Sequence, residues 1–225
     1  MRLKLILYTF LFLLLLKNSQ AKQTVKGTII TDKDTLDVEF IVPTLLGDLQ
    51  IHLIQKSIQY KDSTGFLRSL LPEQAEEIKF TYKDYEYRML SKEYYYDDIG
   101  PNNSRIFLHI IIDGYLKLYH FYYYQHYIEN PNHLVNKPKI LIKKDENKNN
   151  PNYHKPSNVV ARKVLQRSDR KIKTPQLMYY KKDMLQYLGH CPTVKEGLKN
   201  KRFKKKNINE LVEVFNQECK DYFKH

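Results

Sequence analysis

The sequence predicts an α+β protein, with a small antiparallel β-domain over residues 22–145 and a basic helical segment over 157–225. The β-domain is expected to be barrel-like or a sandwich. Polar and apolar residues alternate strictly from Glu77 to Tyr82, as a half-buried strand requires. Asp113-Gly114 joins two β-rich runs, a strong hairpin signal. Beyond residue 157, apolar residues recur at helical spacings of three and four.

The first part of the chain is predicted to be a series of paired strands. Short β-branched or alternating runs are separated by residues that favour turns, such as Lys83-Asp84. The predicted elements are a hairpin of 25–30 with 36–42, strands at 50–54 and 57–60, and a hairpin of 77–82 with 85–90.

A third hairpin is predicted from Arg105 to Tyr124, closing on the two-residue turn Asp113-Gly114. Such a turn places residues opposite each other when their numbers sum to 227. His109 is then expected beside Leu118 and not beside His120.

Residues 146–156, rich in Asn and Lys, are predicted to be a linker, with a last strand of the β-domain at 139–142. After the linker, Ser157 is predicted to cap a basic helix that continues to Leu165. Further helices are predicted over 183–188, after Cys191-Pro192, and from Asn207, where Glu210 suggests a capping box.

Residues 1–21 have the pattern of a cleaved signal peptide. Arg2 and Lys4 precede an apolar run from Leu5 to Leu16, and Ser19 and Ala21 are the small residues before the expected cut. The alternative is an uncleaved membrane anchor, but the run is shorter than the ~20 residues of a membrane span. The sequence therefore predicts export to the periplasm or cell surface.

Two cysteines, Cys191 and Cys219, remain in the exported chain. In an oxidising compartment an even pair indicates a disulfide. Two buried thiols or a metal site are the alternatives, although the pair lacks the close spacing of structural zinc ligands.

The charge is divided unevenly along the chain. Residues 22–136 carry 12 Lys and Arg against 16 Asp and Glu, whereas residues 137–225 carry 23 against 9. The basic part would attract polyanions or anionic head groups, or it is simply a solvated face. The candidate anion-binding residues are Arg162, Lys163, Arg167, Arg170, Lys171, Lys173, Lys199, Lys201, Arg202, Lys204, Lys205 and Lys206.

Tyrosine clusters at 94–96 and 122–124 either pack within the sheet or form an exposed binding surface. The eight histidines, among them His109, His120, His126 and His133, are scattered without metal-ligand spacing. The sequence has no Gly-x-Ser-x-Gly, no His-Glu-x-x-His and no phosphate loop. No catalytic, cofactor-binding or metal-binding residues are therefore predicted.

Three segments carry a family resemblance. They are the hairpin from Gly27 to Leu36, the Tyr-rich strand–turn–strand from Phe107 to Tyr124, and the two-cysteine tail from Cys191 to Cys219. The chain resembles a family of uncharacterised exported proteins of Bacteroidetes-type bacteria. The resemblance implies a bacterial periplasmic or surface location and adds nothing about chemistry.

These patterns predict a non-catalytic binding or scaffolding protein of the bacterial envelope, without a cofactor. The expected partner is an envelope protein or an anionic envelope polymer. Export argues against nucleic acid, and membrane contact would be peripheral. The alternatives are an enzyme acting on envelope polymers and a subunit of an envelope complex that docks through its basic C-terminal segment.

Overall fold

The computed structural model describes residues 20–94, 105–124, 159–175 and 178–223. The strands are β1 (Gln20–Ile30), β2 (Thr35–Leu45), β3 (Asp48–Leu49), β4 (Ile58–Lys61), β5 (Leu67–Leu70), β6 (Glu77–Tyr82), β7 (Tyr85–Glu93), β8 (Arg105–Ile112), β9 (Leu116–Tyr124) and β10 (Val159–Arg167). The helices are α1 (Ile51–Ile54), α2 (Tyr180–Leu188), α3 (Pro192–Lys199) and α4 (Ile208–Glu218), with 3₁₀ turns at Pro72–Gln74, Lys205–Asn207 and Lys220–Phe223.

The ten described strands form one open antiparallel sheet. Their order is β10-β9-β8-β7-β6-β1-β2-β4-β5, and β3 pairs with β2. Apart from the single turn of α1, the described α-helices all follow β10. The predicted α+β class, an antiparallel β-part followed by helices, is confirmed.

Two predicted hairpins are confirmed in detail. β1 pairs with β2, and β6 pairs with β7. Lys83 and Asp84, which join β6 to β7, have φ of 49° and 62°. Positive φ at both central residues is the requirement of the tight turn that matches strand twist. The turn residues Lys83 and Asp84 between two alternating runs were therefore sufficient to predict this hairpin.

The strand predicted over residues 50–54 is wrong, because this segment forms the helical turn α1. Ile51 and Ile54 are buried, whereas Leu53 is 43% exposed. Burial of residues three apart is the pattern of a helix and not of a strand. In so short an apolar segment the two periods could not be distinguished.

The basic helix predicted from Ser157 to Leu165 is also wrong, because Val159–Arg167 is strand β10. Three β-branched valines favour the strand, and β9 offers a partner along its whole length. Val164 and Leu165 are both fully buried. Successive strand residues point to opposite faces, so both faces of β10 are covered. The chain beyond the predicted linker thus returns to the sheet before it becomes helical.

The hairpin of β8 and β9 forms with a different register from the one predicted. His109 pairs with His120 and Ile112 with Leu118, with an irregularity between Ile110 and Ile112. The prediction that His109 lies beside Leu118 is therefore wrong. A side chain outside the hairpin explains the change, since Asn216 of α4 accepts from the Leu116 N–H at 2.8 Å and donates to the Leu116 carbonyl at 2.9 Å.

The other end of this hairpin is held apart in a similar way by Gln55, which follows α1 and is buried. Its carbonyl accepts from the Phe107 N–H of β8 at 2.8 Å. Its side-chain oxygen accepts from the Tyr122 N–H of β9 at 2.6 Å. The two strands therefore pair directly only in the middle of the hairpin.

The buried apolar residues form three clusters. The strand cluster, around Phe40, Ile54 and Phe80, lies among the strands and α1. The helix cluster contains Leu116, Leu118 and Leu165 of the sheet and packs them against residues of α2, α3 and α4, such as Met184, Leu198 and Phe215. The third cluster includes Leu108, Tyr119, Phe121 and Val164.

The predicted disulfide is present between Cys191 and Cys219, whose Cα atoms are 5.5 Å apart. Both cysteines are fully buried in the helix cluster, where they fasten the start of α3 to the end of α4. Pro192 opens α3 as predicted. The predicted capping box is wrong, because the side chain of Asn207 makes no cap bond and instead donates to Glu210 at 3.4 Å.

Residues 1–19 of the predicted signal peptide, the predicted strand at 139–142, the linker at 146–156 and Ser157 lie outside the described residues. Among the helices that are described, none is long and apolar enough to cross a membrane.

Candidate anion-binding cleft

The predicted anion-binding residues do not form one surface. Four of them, Arg162, Lys163, Lys205 and Lys206, line a common cleft of about 670 Å³. We call this the basic cleft. Its other lining residues are Tyr123, Val160, Ala161, Thr174 and Pro175.

Two separate elements supply the cations of the basic cleft. Arg162 and Lys163 are neighbours on β10 and point to opposite faces of the sheet. Lys205 and Lys206 lie on the 3₁₀ turn that precedes α4. None of the nine described lining residues is acidic.

Contacts around the cleft fix the direction of its side chains. The Arg162 guanidinium lies 5.1 Å from the centre of the Tyr123 ring. Lys163 Nζ donates to Asn209 Oδ1 at 2.7 Å. Both contacts leave the cationic charge in place, since a ring face and an amide oxygen carry no formal charge.

The pKa of Lys205 is affected by burial and by a neighbouring cation. Partial burial lowers this pKa, and the neighbouring Arg162 lowers it further. An anion bound in the cleft would reverse the second effect, because a nearby negative charge favours the protonated amine. The cleft is therefore electrostatically suited to an anionic group.

Arg167 cannot serve as the predicted anion-binding residue, because only 2% of it is exposed. Its Nη2 donates to Asp169 Oδ2 at 2.7 Å, and its Nη1 donates to the Tyr187 carbonyl at 2.9 Å. The hydrogen bonds from Arg167 lower the pKa of Asp169. This buried arginine joins β10 to α2, and its role is structural.

Two more of the predicted residues have acidic partners. Arg202 Nε lies 2.8 Å from Glu210 Oε1, and Lys173 Nζ lies 3.8 Å from Asp183 Oδ1. Lys173 also lines a smaller cleft of about 350 Å³, together with Arg170 and Lys171. The remaining three, Lys199, Lys201 and Lys204, are exposed around the turn after α3.

A somewhat larger groove, of about 740 Å³, lies elsewhere, over β1, β2 and the turn after β4. Its lining mixes Lys26 and Lys61 with Asp37, Glu39 and Asp62. Asp62 Oδ1 accepts from Thr64 and from the Phe66 N–H, and its Oδ2 lies 2.5 Å from Arg68 Nε, so this carboxylate serves the turn. Size alone therefore does not make this groove the better candidate for anions.

A row of aromatic rings crosses the strand cluster from Phe40 through Phe80, Tyr87 and His109 to Tyr122. Successive ring centres are 5.9, 5.2, 5.2 and 6.0 Å apart. Gly27 makes room for the row, because a Cβ there would collide with the ring of Phe40. Sequence patterns did not predict this arrangement, since it depends on the strand order.

His109 is a buried titratable group in that row. It is 3% exposed, and its Nδ1 lies 2.9 Å from the Tyr122 hydroxyl. Burial, with a smaller effect from His120, lowers the pKa of His109 to about 4. Burial likewise raises the pKa of Tyr122. Both groups are neutral at neutral pH, so the contact between them is a structural hydrogen bond.

Of the predicted tyrosine clusters, the described members are divided between the interior and the cleft. Tyr94 is buried, with its hydroxyl 2.9 Å from Thr174 Oγ1. Tyr122 belongs to the aromatic row, and Tyr123 lines the basic cleft. Tyr95, Tyr96 and the side chain of Tyr124 lie outside the description, as do His126 and His133.

In the part of the chain that is described, no group of three or more His, Cys, Asp or Glu side chains could hold a metal ion. No family model, no curated protein and no solved structure matches the chain. The candidate site therefore depends on its own geometry.

Proposed function

We propose that this chain is an exported, non-catalytic protein that binds a polyanionic partner at the bacterial envelope through its basic cleft. The supporting observation is that Arg162, Lys163, Lys205 and Lys206 meet in one cleft with no acidic residue in its described lining. Clustered cations attract a negatively charged partner and raise its rate of association.

The export part of the proposal comes from the leader-like residues 1–21 and from the two-cysteine tail that resembles exported proteins of Bacteroidetes-type bacteria. The Cys191–Cys219 disulfide is compatible with an oxidising compartment. Mass measurement of the protein from fractionated cells tests it. A protein that retains Met1, stays in the cytosol and has reduced cysteines would contradict export.

Polyanion binding is tested with a variant in which the four cleft cations are replaced by glutamine: Arg162→Gln, Lys163→Gln, Lys205→Gln and Lys206→Gln. A matched control removes the same charge elsewhere through Arg170→Gln, Lys171→Gln, Lys199→Gln and Lys201→Gln. The control residues are exposed, so the control is expected to fold, and thermal unfolding checks the fold of the cleft variant.

Affinity for dextran sulfate is measured by titration at low and at moderate salt. We expect the cleft variant to lose about tenfold or more in affinity, whereas the control loses much less. Wild-type binding should also weaken as salt rises. Equal losses in the two variants would mean that the charge acts as a solvated face and not as a site.

A further inference from the structure

The turn between β2 and β3 carries an apolar side chain where the backbone favours a different residue. Leu45 and Asp48 pair across the two central residues, Leu46 and Gly47, whose φ are 51° and 81°. Positive φ at both central positions defines the tight hairpin turn that prefers Asn-Gly. A bulky residue is strained at positive φ, because its Cβ crowds the main chain. The leucine at position 46 therefore lowers the stability of this turn.

Packing within the fold does not explain the leucine. Leu46 is 74% exposed, and Leu45 before it is 42% exposed. A leucine that stabilised the core would be buried. A strained residue that the fold does not need is a reason to look for a function. We call Leu45 and Leu46 the leucine tip.

The leucine tip is held in place from a second hairpin. The hydroxyl of Tyr82, a buried residue of β6, donates to the Gly47 carbonyl at 2.6 Å. Lys83 Nζ, from the turn after β6, lies 3.6 Å from Asp48 Oδ1. The exposed leucines therefore project from a fixed base. The Lys83–Asp48 pair carries no net charge, so contact at the tip should depend on apolar surface.

The position of the tip in the sheet identifies what it contacts. Gln20, the first residue of β1, pairs with Leu45. The apolar run from Leu5 to Leu16 precedes Gln20, with only residues 17–19 between them. This connection spans at most about 14 Å in any conformation. A chain whose apolar run is held in the bilayer during export would therefore have the leucine tip next to the membrane.

Cleavage of the predicted signal peptide would keep this geometry. A cut after Ala21 would make Lys22 the first residue, and Lys22 pairs with Pro43 of β2, close to Leu45. The new amino terminus would thus lie at the same end of the sheet. Positive charge beside exposed leucines suits the boundary between lipid head groups and acyl chains.

We propose that Leu45 and Leu46 insert into the surface of a lipid bilayer, at the end of the sheet where the predicted signal peptide joins β1. A projecting turn is convex, and it can enter the boundary between head groups and acyl chains. Burial of two leucines supplies the attraction and gives reversible, peripheral contact. The inference rests on the export part of the proposed function and adds a second point of contact at the envelope.

The test measures flotation with neutral phosphatidylcholine vesicles, using protein purified from cells in the form that the cells produce. Leu46→Asn removes the apolar side chain and keeps the turn, because asparagine tolerates positive φ. Leu36→Asn is the matched control, since Leu36 is 48% exposed and lies at the other end of β2, ~30 Å from Leu45. We expect Leu46→Asn to weaken vesicle binding about tenfold or more and Leu36→Asn to leave it unchanged.

Thermal unfolding separates this role from a structural one. Asparagine relieves the strain at position 46, so Leu46→Asn should unfold at the same temperature as wild type or at a higher one. A lower unfolding temperature would mean that the Leu46 side chain stabilises the fold, and the proposal would be wrong.

Tryptophan gives a direct reporter of insertion, because the sequence contains none. The emission of Leu46→Trp should shift to shorter wavelength when vesicles are added, since tryptophan favours the membrane interface. Leu36→Trp should show no shift. Equal behaviour of the two reporters would contradict insertion of the tip.

The outcomes separate the two proposals. If wild type binds dextran sulfate but not neutral vesicles, or if Leu46→Asn binds vesicles as wild type does, membrane contact is wrong while polyanion binding stands. If wild type binds vesicles but not dextran sulfate, only the function of the basic cleft fails. If wild type is a dimer in sedimentation and Leu46→Asn is a monomer, a second copy covers the tip, which also overturns the proposal.

Discussion

The strand cluster and the helix cluster are stabilised in different ways. In the strand cluster, main-chain ladders join neighbouring strands, and the row of rings from Phe40 to Tyr122 packs across them. The helix cluster is built from helices of only 8 to 11 residues, with the Cys191–Cys219 disulfide inside it. Helices this short are marginal alone and depend on tertiary packing. The comparison teaches that the covalent link is found where secondary structure is weakest.

The largest expected effect comes from removing that link. The double variant Cys191→Ala and Cys219→Ala should lose about 3–4 kcal/mol of unfolding free energy, because the unfolded chain regains the entropy of a closed loop. Urea unfolding followed by tyrosine fluorescence measures the loss. Wild type under reducing conditions is the control and should behave like the variant. A loss below about 1 kcal/mol would mean that packing alone holds the helix cluster.

Acid should act on the strand cluster, through His109. Its pKa in the folded protein, about 4, is below the ordinary value of 6.5, so the unfolded chain binds the proton more tightly. The stability that the neutral imidazole of His109 contributes is therefore fully present above about pH 6.5, and it is lost as the pH falls towards 4. The total loss is on the order of 3 kcal/mol.

His109→Phe keeps a ring in the row and removes this titration. Urea unfolding at several pH values should show a shallower loss of stability below pH 6.5 in the variant. Some loss should remain, because burial also lowers the pKa of His52 and of His120. His190→Gln, at an exposed position, is the matched control and should keep the wild-type slope. An unchanged slope in His109→Phe would exclude His109 as the source.

The smallest effect is expected at the ion pair of Arg167, the residue that connects strand β10 to helix α2. Asp169→Asn leaves Arg167 buried without its ionised partner and should lower the free energy of unfolding by about 1 kcal/mol. The loss is this small because water can reach the partly exposed Asp169 position. Dextran sulfate affinity should stay within about twofold of wild type. A large gain in affinity would mean that the released Arg167 binds anions, and would reverse its assignment as a structural residue.

Much of the fold could be predicted from local patterns. The tight turn at Lys83-Asp84, the disulfide and the apolar stripe of α4 all depend on residues close in sequence or on composition. β10 could not be predicted in this way, because its basic residues hid a β-branched strand whose partner β9 is distant in sequence. The register of β8 and β9 was missed because Gln55 and Asn216 act from other elements.

The candidate site was predicted only as a set of twelve charges. The sequence could not separate the buried and ion-paired residues from those that line the cleft. Burial of Arg167 and the pairing of Arg202 with Glu210 are properties of the folded chain. Nor could it place Lys205 and Lys206 beside Arg162.

Gln55 and Asn216 also bear on the order in which the chain assembles. Gln55 is 67 residues from Tyr122, and Asn216 is 100 residues from Leu116. Although β8 and β9 are consecutive, the two ends of their hairpin cannot be completed until these distant segments have arrived. Closing such long loops is entropically costly and slows folding. We therefore expect the centre of this hairpin to form early and its ends to be among the last parts of the sheet to become native.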